Sequence, residues 1–234
     1  MLMHEPETVL VVAAHPDDEV LGCGGTIAAH AARGDSVHVL ILSEGATSRR
    51  DVRDCIADFQ SLQQLENAAT QVSVILGLAS LSFGHFPDNR LDMVPLLELT
   101  KVVESYIEKY APTVVYTHHA GDLNIDHRAA HNATVTACRP LPSHPVKTVL
   151  FFEVPSSTEW QISSPVHLFC PNWFVDVSAT LALKMQALQC YHTEMRDWPH
   201  SRSYQAVEHL ARWRGASAGF EAAEAFMLGR QLCK

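Results

Sequence analysis

The amino-acid sequence predicts an α/β fold: a Rossmann-like, doubly wound and mainly parallel sheet, with strand order 3-2-1-4-5 and a C-terminal extension. Apolar runs of strand length alternate with segments of helical periodicity, and the connections between them are short. Several of these runs end in polar residues, at the edge where such sheets bind ligands. A chain of 234 residues with 47% hydrophobic content is long enough for one core. We therefore expect a single domain over residues 1–234, with the core at 1–155 and the extension at 156–234.

The core elements follow from the apolar pattern in chain order. The first strand is predicted at Val9–Ala14, a run of small apolar residues, and the helix after it at Leu21–Ala32. The remaining predicted core elements are strands at Ser36–Ser43, Ser73–Ala79, Thr113–His119 and Thr148–Val154, helices at Asp51–Ala69 and Met93–Tyr110, and a helix that carries Arg128 and His131. The segment Leu81–Asp92, after the third strand, is predicted to be a loop.

The extension has a less regular pattern. It is predicted to contain one more strand, Trp173–Ser178, and a helix at Ala179–Tyr191. A last helical stretch is predicted from Tyr204 to Arg230, broken around Gly215 and Gly219. We expect these elements to pack on the core.

Composition excludes several classes of partner. The chain has 26 acidic and 17 basic residues and no run of lysine and arginine, so nucleic acid is not expected as a partner. No apolar run approaches the ~20 residues that span a bilayer, and the N-terminus lacks the features of a secretory signal. The six cysteines are scattered and form no C-x-x-C pair, so the sequence gives no sign of a structural zinc site. A cytoplasmic location is the expectation.

The first predicted strand ends in His15-Pro16-Asp17-Asp18-Glu19, a histidine followed by three carboxylates. One interpretation is a capped helix start, since proline suits the first turn and acidic residues favour the helix N-terminus. The other is half of a metal site, because an imidazole and a nearby carboxylate are common zinc ligands. The local sequence does not decide between them, and for Glu19 both helix electrostatics and support of a site remain possible.

A second polar stretch follows the fourth strand and ends in His127. In the order 3-2-1-4-5 the first and fourth strands are neighbours, so His127 is expected to face His15 and Asp18 across the crevice. Two imidazoles and one carboxylate leave a coordination position open, as in catalytic zinc sites. Asp17, beside the ligand Asp18, is then predicted to be a general base.

Two motifs stand at the ends of the first and fourth strands: Ala14-His15-Pro16-Asp17-Asp18-Glu19 and Asn124-Ile125-Asp126-His127. Through them the chain resembles the LmbE-like, or PIG-L, family of zinc-dependent de-N-acetylases, and the resemblance extends to Asp88–Asp92, Pro199–Ser203 and Ala223–Phe226. It implies His15, Asp18 and His127 as ligands of Zn²⁺ and Asp17 as the base. Better-known members carry a histidine at the position of Asn124, where it is thought to stabilise the oxyanion. We expect Asn124 and Asp126 to take part in catalysis, with His118, His119 and His200 as other candidates for the missing histidine.

The resemblance implies hydrolysis of a linear amide, with removal of an N-acetyl or other short N-acyl group from an amino sugar, such as an N-acetylglucosamine conjugate. Five residues are candidate substrate contacts: Arg49, Arg90, Asp92, His200 and Arg202. Relatives that form trimers or hexamers make a homo-oligomer an expectation by analogy.

Three alternatives stay open. The glycines at 22, 24 and 25 suggest a nucleotide-dependent enzyme, although three carboxylates in the turn would repel a pyrophosphate. Two histidines and a carboxylate also form the iron(II) site of oxygenases. A non-catalytic sugar-binding relative is the third alternative, and it rests on Asn124.

Overall fold

The structure, a computed structural model, describes residues 5–47, 56, 59–162, 164–165 and 167–233. Its strands are β1 (Thr8–Ala13), β2 (Ser36–Ser43), β3 (Ser80–Phe86), β4 (Val114–His118), β5 (Thr148–Phe152), β6 (Trp173–Asp176) and β7 (Ala223–Gln231). Its α-helices are α1 (Asp18–Ala32), α2 (Phe59–Leu76), α3 (Leu96–Tyr110), α4 (Ile125–Ala137), α5 (Leu181–Cys190) and α6 (Tyr204–Ala218). None of the helices in these ranges is long and apolar enough to cross a membrane.

The strands form one sheet in the order β3-β2-β1-β4-β5-β7-β6. The strands β1 to β5 are parallel to one another. At one edge β7 pairs antiparallel with β5, and β6 pairs antiparallel with β7. The predicted α/β fold and the order 3-2-1-4-5 are therefore confirmed. Because β1 and β4 pair directly, with Val12 opposite Thr117, the polar segments that follow these two strands start side by side.

Strand β1 is buried on both faces of the sheet, which explains its continuous apolar sequence. Val9, Val11 and Ala13 face a core that includes residues of α1, α2 and α5. Leu10 and Val12 face a second core built with α3 and α4. Burying a side chain of this size contributes about 1.5–3 kcal/mol to the stability of the fold. The end of β1 therefore fixes where the following loop begins.

The predicted third strand was wrong. Ser73–Ala79 was expected to be extended, but α2 continues through Leu76, and its buried Val72 and Leu76 are one helical turn apart. The actual strand, β3, starts at Ser80, and the rest of it lies in the segment predicted to be a loop. Of the helix predicted at Asp51–Ala69, the part from Phe59 onward belongs to α2. Most of the residues before Phe59 lie outside the described residues.

The prediction of helix up to Arg230 was also wrong. Helix α6 ends at Ala218, where Gly219 adopts the left-handed conformation (φ 80°) that closes many helices. Residues Ala223–Gln231 then form β7 between β5 and β6. Ala, Glu and Met favour helices, but the pairing of this segment with strands on both sides outweighs that preference.

Helix α1 is kinked at Cys23, whose φ of −149° and ψ of 23° are not helical. Glu224 of β7 accepts hydrogen bonds from the N–H groups of Gly25 (3.0 Å) and Thr26 (2.7 Å) at the kink. Lys184 of α5 donates to the Leu21 carbonyl (2.9 Å) and pairs with Glu224 (2.6 Å). The extension therefore satisfies the backbone groups that the kink leaves open.

The glycines in α1 serve close packing. A Cβ on Gly22 would overlap the ring of Phe152, and one on Gly25 would press against Val177. Close packing accounts for these glycines, so nucleotide binding is not needed to explain them. The sequence also lacks the G-x-G-x-x-G pattern of dinucleotide-binding loops.

Candidate active site

The two polar segments meet at the carboxyl ends of β1 and β4. The first is the turn from His15 into α1, and the second runs from His118 into α4. Asn124 is the N-cap of α4, because its Oδ1 accepts a hydrogen bond from the Asp126 N–H (2.8 Å). The cap ends the loop one turn before His127, which therefore points from the start of the helix toward β1.

His15, Asp18 and His127 form one cluster. Asp18 Oδ2 lies 3.1 Å from His15 Nδ1 and 3.2 Å from His127 Nε2. One donor atom from each of the three residues lies within 4.8 Å of the others, which is close enough to hold a metal ion. The second oxygen of Asp18, Oδ1, is buried without a hydrogen-bond partner. A buried, unpaired carboxylate oxygen is costly, and a cation bound here would compensate it.

The charges of the cluster are mutually dependent. Burial opposes the charge on Asp18, but the neighbouring His127 and His118 hold the pKa of Asp18 well below its usual range. Burial likewise opposes protonation of His127, yet Asp18 and Asp122 raise the pKa of His127 to about 9. Negative charge in this pocket therefore attracts a cation, whether a proton or a metal ion.

Outer carboxylates lie beside both histidines. Asp122 Oδ1 lies 3.1 Å from His127 Nδ1, and Asp122 accepts hydrogen bonds from the Ser157 and Thr158 hydroxyls. Asp126 Oδ2 lies 3.1 Å from His15 Nε2, while its Oδ1 accepts from the N–H of Leu91 (2.9 Å). Such contacts fix the orientation of imidazole ligands in metal sites.

Asp17 lies beside the cluster in a strained conformation, with φ 114° and ψ −29°. Its Oδ2 accepts a hydrogen bond from Arg202 Nη1 (2.9 Å), and Arg202 Nε donates to Ser156 Oγ (3.0 Å). Burial and the neighbouring Asp18, opposed by Arg202, raise the pKa of Asp17 to about 7. A carboxylate near this pKa is suited to both accepting and donating a proton at neutral pH.

A polar cavity of about 180 Å³ opens onto this arrangement. It is lined by His15, Pro16, Asp17, Gly45, Ala46, Leu65, Asp88, Asn89, Asn124, His127, Glu194 and Arg202. His15 and His127 of the cluster, the strained Asp17 and Asn124 therefore line one solvent-connected space.

Comparison with known proteins identifies the family. The model of the PIG-L family, described as GlcNAc-PI de-N-acetylase, matches residues 10–138. This match covers more than half of the chain and contains both polar segments. The chain belongs to the PIG-L family.

Individual proteins are similar to the chain over most of its length. The chain is 26% identical to the probable N-acetyl-alpha-D-glucosaminyl L-malate deacetylase 2 of Bacillus anthracis, over 82% of this chain and 83% of the relative. The crystal structure of the conserved protein TT1542 from Thermus thermophilus has a TM-score of 0.74 at 26% identity, over 97% of both chains. GalB, the 4-carboxy-2-hydroxymuconate hydratase of Pseudomonas putida KT2440, has a TM-score of 0.77 at 22% identity, over 97% of this chain and 98% of GalB. The GalB likeness concerns the fold, which evidently supports more than one reaction.

The histidines considered as substitutes at the position of Asn124 do not line the cavity. His118 Nε2 accepts a hydrogen bond from the Ala14 N–H (2.8 Å), and its ring stacks on His127 with 4.0 Å between centroids. His119 Nε2 donates to the His167 carbonyl (3.1 Å). His200 Nδ1 accepts from the Arg202 N–H (3.0 Å). Of the residues considered for this role, Asn124 alone is in the lining.

The predicted substrate contacts lie in different parts of the structure. Arg202 lines the cavity, but its guanidinium binds Asp17. Arg90 and His200 are not in the lining, and Asp92 lies in a separate groove with Pro95 and Asn132. Arg49 lies outside the described residues.

Sequence reasoning missed several lining residues. Asp88 and Asn89 belong to the loop motif quoted for the family, and that motif was the signal from which they could have been chosen. Glu194 reaches the cavity from the extension, far from either polar segment in sequence. No local pattern marks it.

The strain at Asp17 predicts an unusual stability difference. Both Asp17→Gly and Asp17→Ala remove the contact with Arg202, but only glycine adopts a φ of 114° without strain. We expect Asp17→Gly to have a free energy of unfolding about 1–2 kcal/mol higher than that of Asp17→Ala, measured by urea denaturation.

The same pair of substitutions at Lys101, exposed in α3, is the control. There alanine should be the more stable variant by about 1 kcal/mol. Equal stability of the two Asp17 variants would show that the turn is not strained.

Proposed function

We propose that this PIG-L family member is a metal-dependent amide hydrolase that removes an N-acetyl group from an amino-sugar-containing substrate. The observation that carries the proposal is the buried cluster of His15, Asp18 and His127, in which Asp18 Oδ2 faces both imidazoles and Oδ1 has no hydrogen-bond partner, beside the buried Asp17 and a polar cavity. This arrangement supplies the parts that metal-assisted hydrolysis needs: a cation site, a base and an accessible space.

Zinc is the metal we propose, held by His15, Asp18 and His127. Two imidazoles and a carboxylate match the donor set of catalytic zinc sites and leave room for other ligands. The outer contacts from Asp122 and Asp126 support this assignment, since they would orient the two imidazoles. When bound, the metal would act as a Lewis acid and make water a better nucleophile at neutral pH. Iron(II) accepts the same donor set, so the metal has to be identified by analysis.

Asp17 is the proposed general base and acid. Its Oδ2 is held by Arg202, which leaves Oδ1 to take a proton from the attacking water. The water oxygen then bonds to the amide carbon, the carbon–nitrogen bond breaks, and Asp17 returns the proton to the departing amine. Arg202 fixes the rotamer of Asp17, so we assign Arg202 to positioning and propose no direct contact with the substrate for its guanidinium.

Asn124 is the proposed donor to the oxyanion. Because its Oδ1 caps α4, its Nδ2 group faces Asn89 Oδ1 at 3.2 Å on the cavity wall. An amide NH₂ carries two hydrogens, and the one not used by Asn89 is available to a substrate oxygen. A role of Asp126 is better supported as orientation of His15 than as proton transfer, since both its oxygens are engaged behind the imidazole.

The cavity supports a carbohydrate substrate. Its volume of about 180 Å³ suits the acylamino group and adjacent hydroxyls, and its lining is mostly polar. The relative from Bacillus anthracis is named for an N-acetylglucosaminyl conjugate, and we propose the same class of substrate here. Arg49, Arg90, Asp92 and His200 remain predicted contacts for the rest of such a molecule. A cytoplasmic location and a trimeric or hexameric assembly also remain predictions.

The activity is tested by acetate release from a panel of free, nucleotide-linked and lipid-linked N-acetyl amino sugars. We expect the zinc-reconstituted protein to release acetate and free amine from at least one of them, and Asp17→Asn to bind that substrate without turnover. A wild-type protein that binds these sugars as tightly as Asp17→Asn and releases no acetate would instead be a sugar-binding relative.

The ligand assignment predicts that His15→Ala and His127→Ala lose bound metal and activity together, whereas Asp17→Asn keeps the metal. Metal content measured by elemental analysis, after purification without chelators and reconstitution with zinc or iron, provides the readout. Full metal occupancy in either histidine variant would refute the assignment. His144→Ala, at a part-buried histidine outside the cavity, is the matched control and should keep its metal.

The role of Asn124 predicts a separation of activity from stability. Asn124→Ser keeps an oxygen that can cap α4 but removes the amide donor, whereas Asn124→Ala removes both. We expect both variants to lose about 10²–10³-fold in kcat, as for other oxyanion donors, and only alanine to lose about 1 kcal/mol of stability. A serine variant with wild-type kcat would rule out the oxyanion role.

A further inference from the structure

We propose that Glu19, held by Tyr191 of the extension, is a positioning residue that fixes the backbone of Asp17 in its strained conformation. The inference rests on the proposed function, because it concerns the residue assigned there as the base. It also explains why a third carboxylate follows Asp17 and Asp18 at the start of α1.

The contacts form a short chain of hydrogen bonds. The N–H of Asp17 donates to Glu19 Oε2 (3.0 Å), and the hydroxyl of Tyr191 donates to Glu19 Oε1 (2.7 Å). All three residues are buried, with 2%, 1% and 0% of Asp17, Glu19 and Tyr191 exposed. Tyr191 follows α5, so the extension reaches the turn through Glu19.

The other side of Asp17 is fixed by the helix. Its carbonyl accepts hydrogen bonds from the N–H groups of Val20 (3.0 Å) and Leu21 (2.9 Å) in the first turn of α1. A non-glycine residue with φ near 114° persists only where its surroundings determine the conformation from several directions. The helix holds the carbonyl, and Glu19 holds the N–H.

Helix-start electrostatics alone does not account for Glu19. A carboxylate that only favours the helix dipole is normally at the surface, where it remains solvated. Glu19 is buried, and neither lysine nor arginine pairs with it among the residues described by the structure. Burial of such a group is unfavourable, and its two oxygens are used for the Asp17 N–H and the Tyr191 hydroxyl.

The test compares four variants. Glu19→Met removes both hydrogen bonds at similar size, Glu19→Gln keeps an oxygen for the Asp17 N–H, and Tyr191→Phe removes only the hydroxyl. Tyr116→Phe is the matched control, because Tyr116 is also a buried tyrosine with one hydroxyl contact, to His30 Nε2 (3.0 Å), at the opposite end of α1. Each variant is measured for kcat, KM, zinc content, melting temperature and the hydrogen-exchange rate of the Asp17 amide.

We expect Tyr191→Phe to lower kcat about 10-fold and Glu19→Met about 100-fold, with KM and zinc content unchanged. The Asp17 amide should exchange faster in both, and Glu19→Gln should be closer to wild type in kcat and exchange than either. Tyr116→Phe should leave kcat and the Asp17 amide unchanged. Should Glu19→Met fail to fold, the milder Tyr191→Phe carries the same test.

The proposal is overturned if Tyr191→Phe leaves the Asp17 amide as protected as in the wild type, or if Tyr116→Phe lowers kcat equally at an equal loss of melting temperature. Amide exchange does not require turnover. If the wild type has no deacetylase activity but the Asp17 amide exchanges faster in the variants, the positioning role is supported and the proposed function is contradicted. If the wild type is active but the exchange rate is unchanged in the variants, the positioning role is contradicted and the proposed function is not.

Discussion

The site depends on the parallel pairing of β1 with β4. These strands lie about a hundred residues apart in sequence, yet their register places Val12 opposite Thr117 and brings the two polar segments to one edge of the sheet. The Ala14 N–H extends the contact by donating to His118 Nε2, and His118 in turn stacks on His127. Because β1 is buried on both faces, a shift of one residue in its register would move each side chain into the opposite core and disrupt the packing there. The core therefore fixes the position of His127 relative to His15 and Asp18.

The surroundings of two adjacent carboxylates in the site shift their pKa values in opposite directions. Burial raises the pKa of Asp17 to about 7, whereas His127 and His118 outweigh burial and hold the pKa of Asp18 well below its usual range. Neighbouring groups whose pKa values are pushed apart take different roles in a reaction. Asp18 is suited to remain charged beside a cation, and Asp17 to exchange a proton. The difference arises from geometry. Asp18 Oδ2 faces two imidazoles, whereas Arg202 beside Asp17 does not outweigh the effects of burial and of the neighbouring Asp18.

The parts of the fold that were predictable are those with a continuous local pattern. β1, β2, β4 and β5 are largely buried, so their sequences are mostly apolar. β3 is an edge strand whose residues are only half-buried, and its sequence does not alternate clearly. β7 contains helix-forming residues, and only its pairing with β5 and β6 makes it a strand. Both strands depend on contacts that are absent from the local sequence.

The same distinction applies to the site. His15, Asp17, Asp18 and His127 follow strands whose order could be predicted, so their proximity was expected before the structure was known. The partners of the first turn of α1 could not be predicted, because Tyr191 and Arg202 lie 172 and 185 residues from the carboxylates they contact. Arg202 is predicted as a substrate contact from its residue type, and nothing in the sequence indicates Asp17 as its partner.

The extension is therefore as much a part of the site as the core. It contributes Tyr191 to Glu19, Arg202 to Asp17, and the buried pair of Lys184 and Glu224 to the kink of α1. Each contact satisfies a backbone or carboxylate group that the strand-to-helix turn leaves open. A turn with a strained residue and several buried carboxylates is unfavourable in isolation, and it is maintained by partners from elsewhere in the fold. β7, paired between β5 and β6, anchors Glu224 on the sheet, so the position of Asp17 is linked to the sheet through the extension as well as through β1.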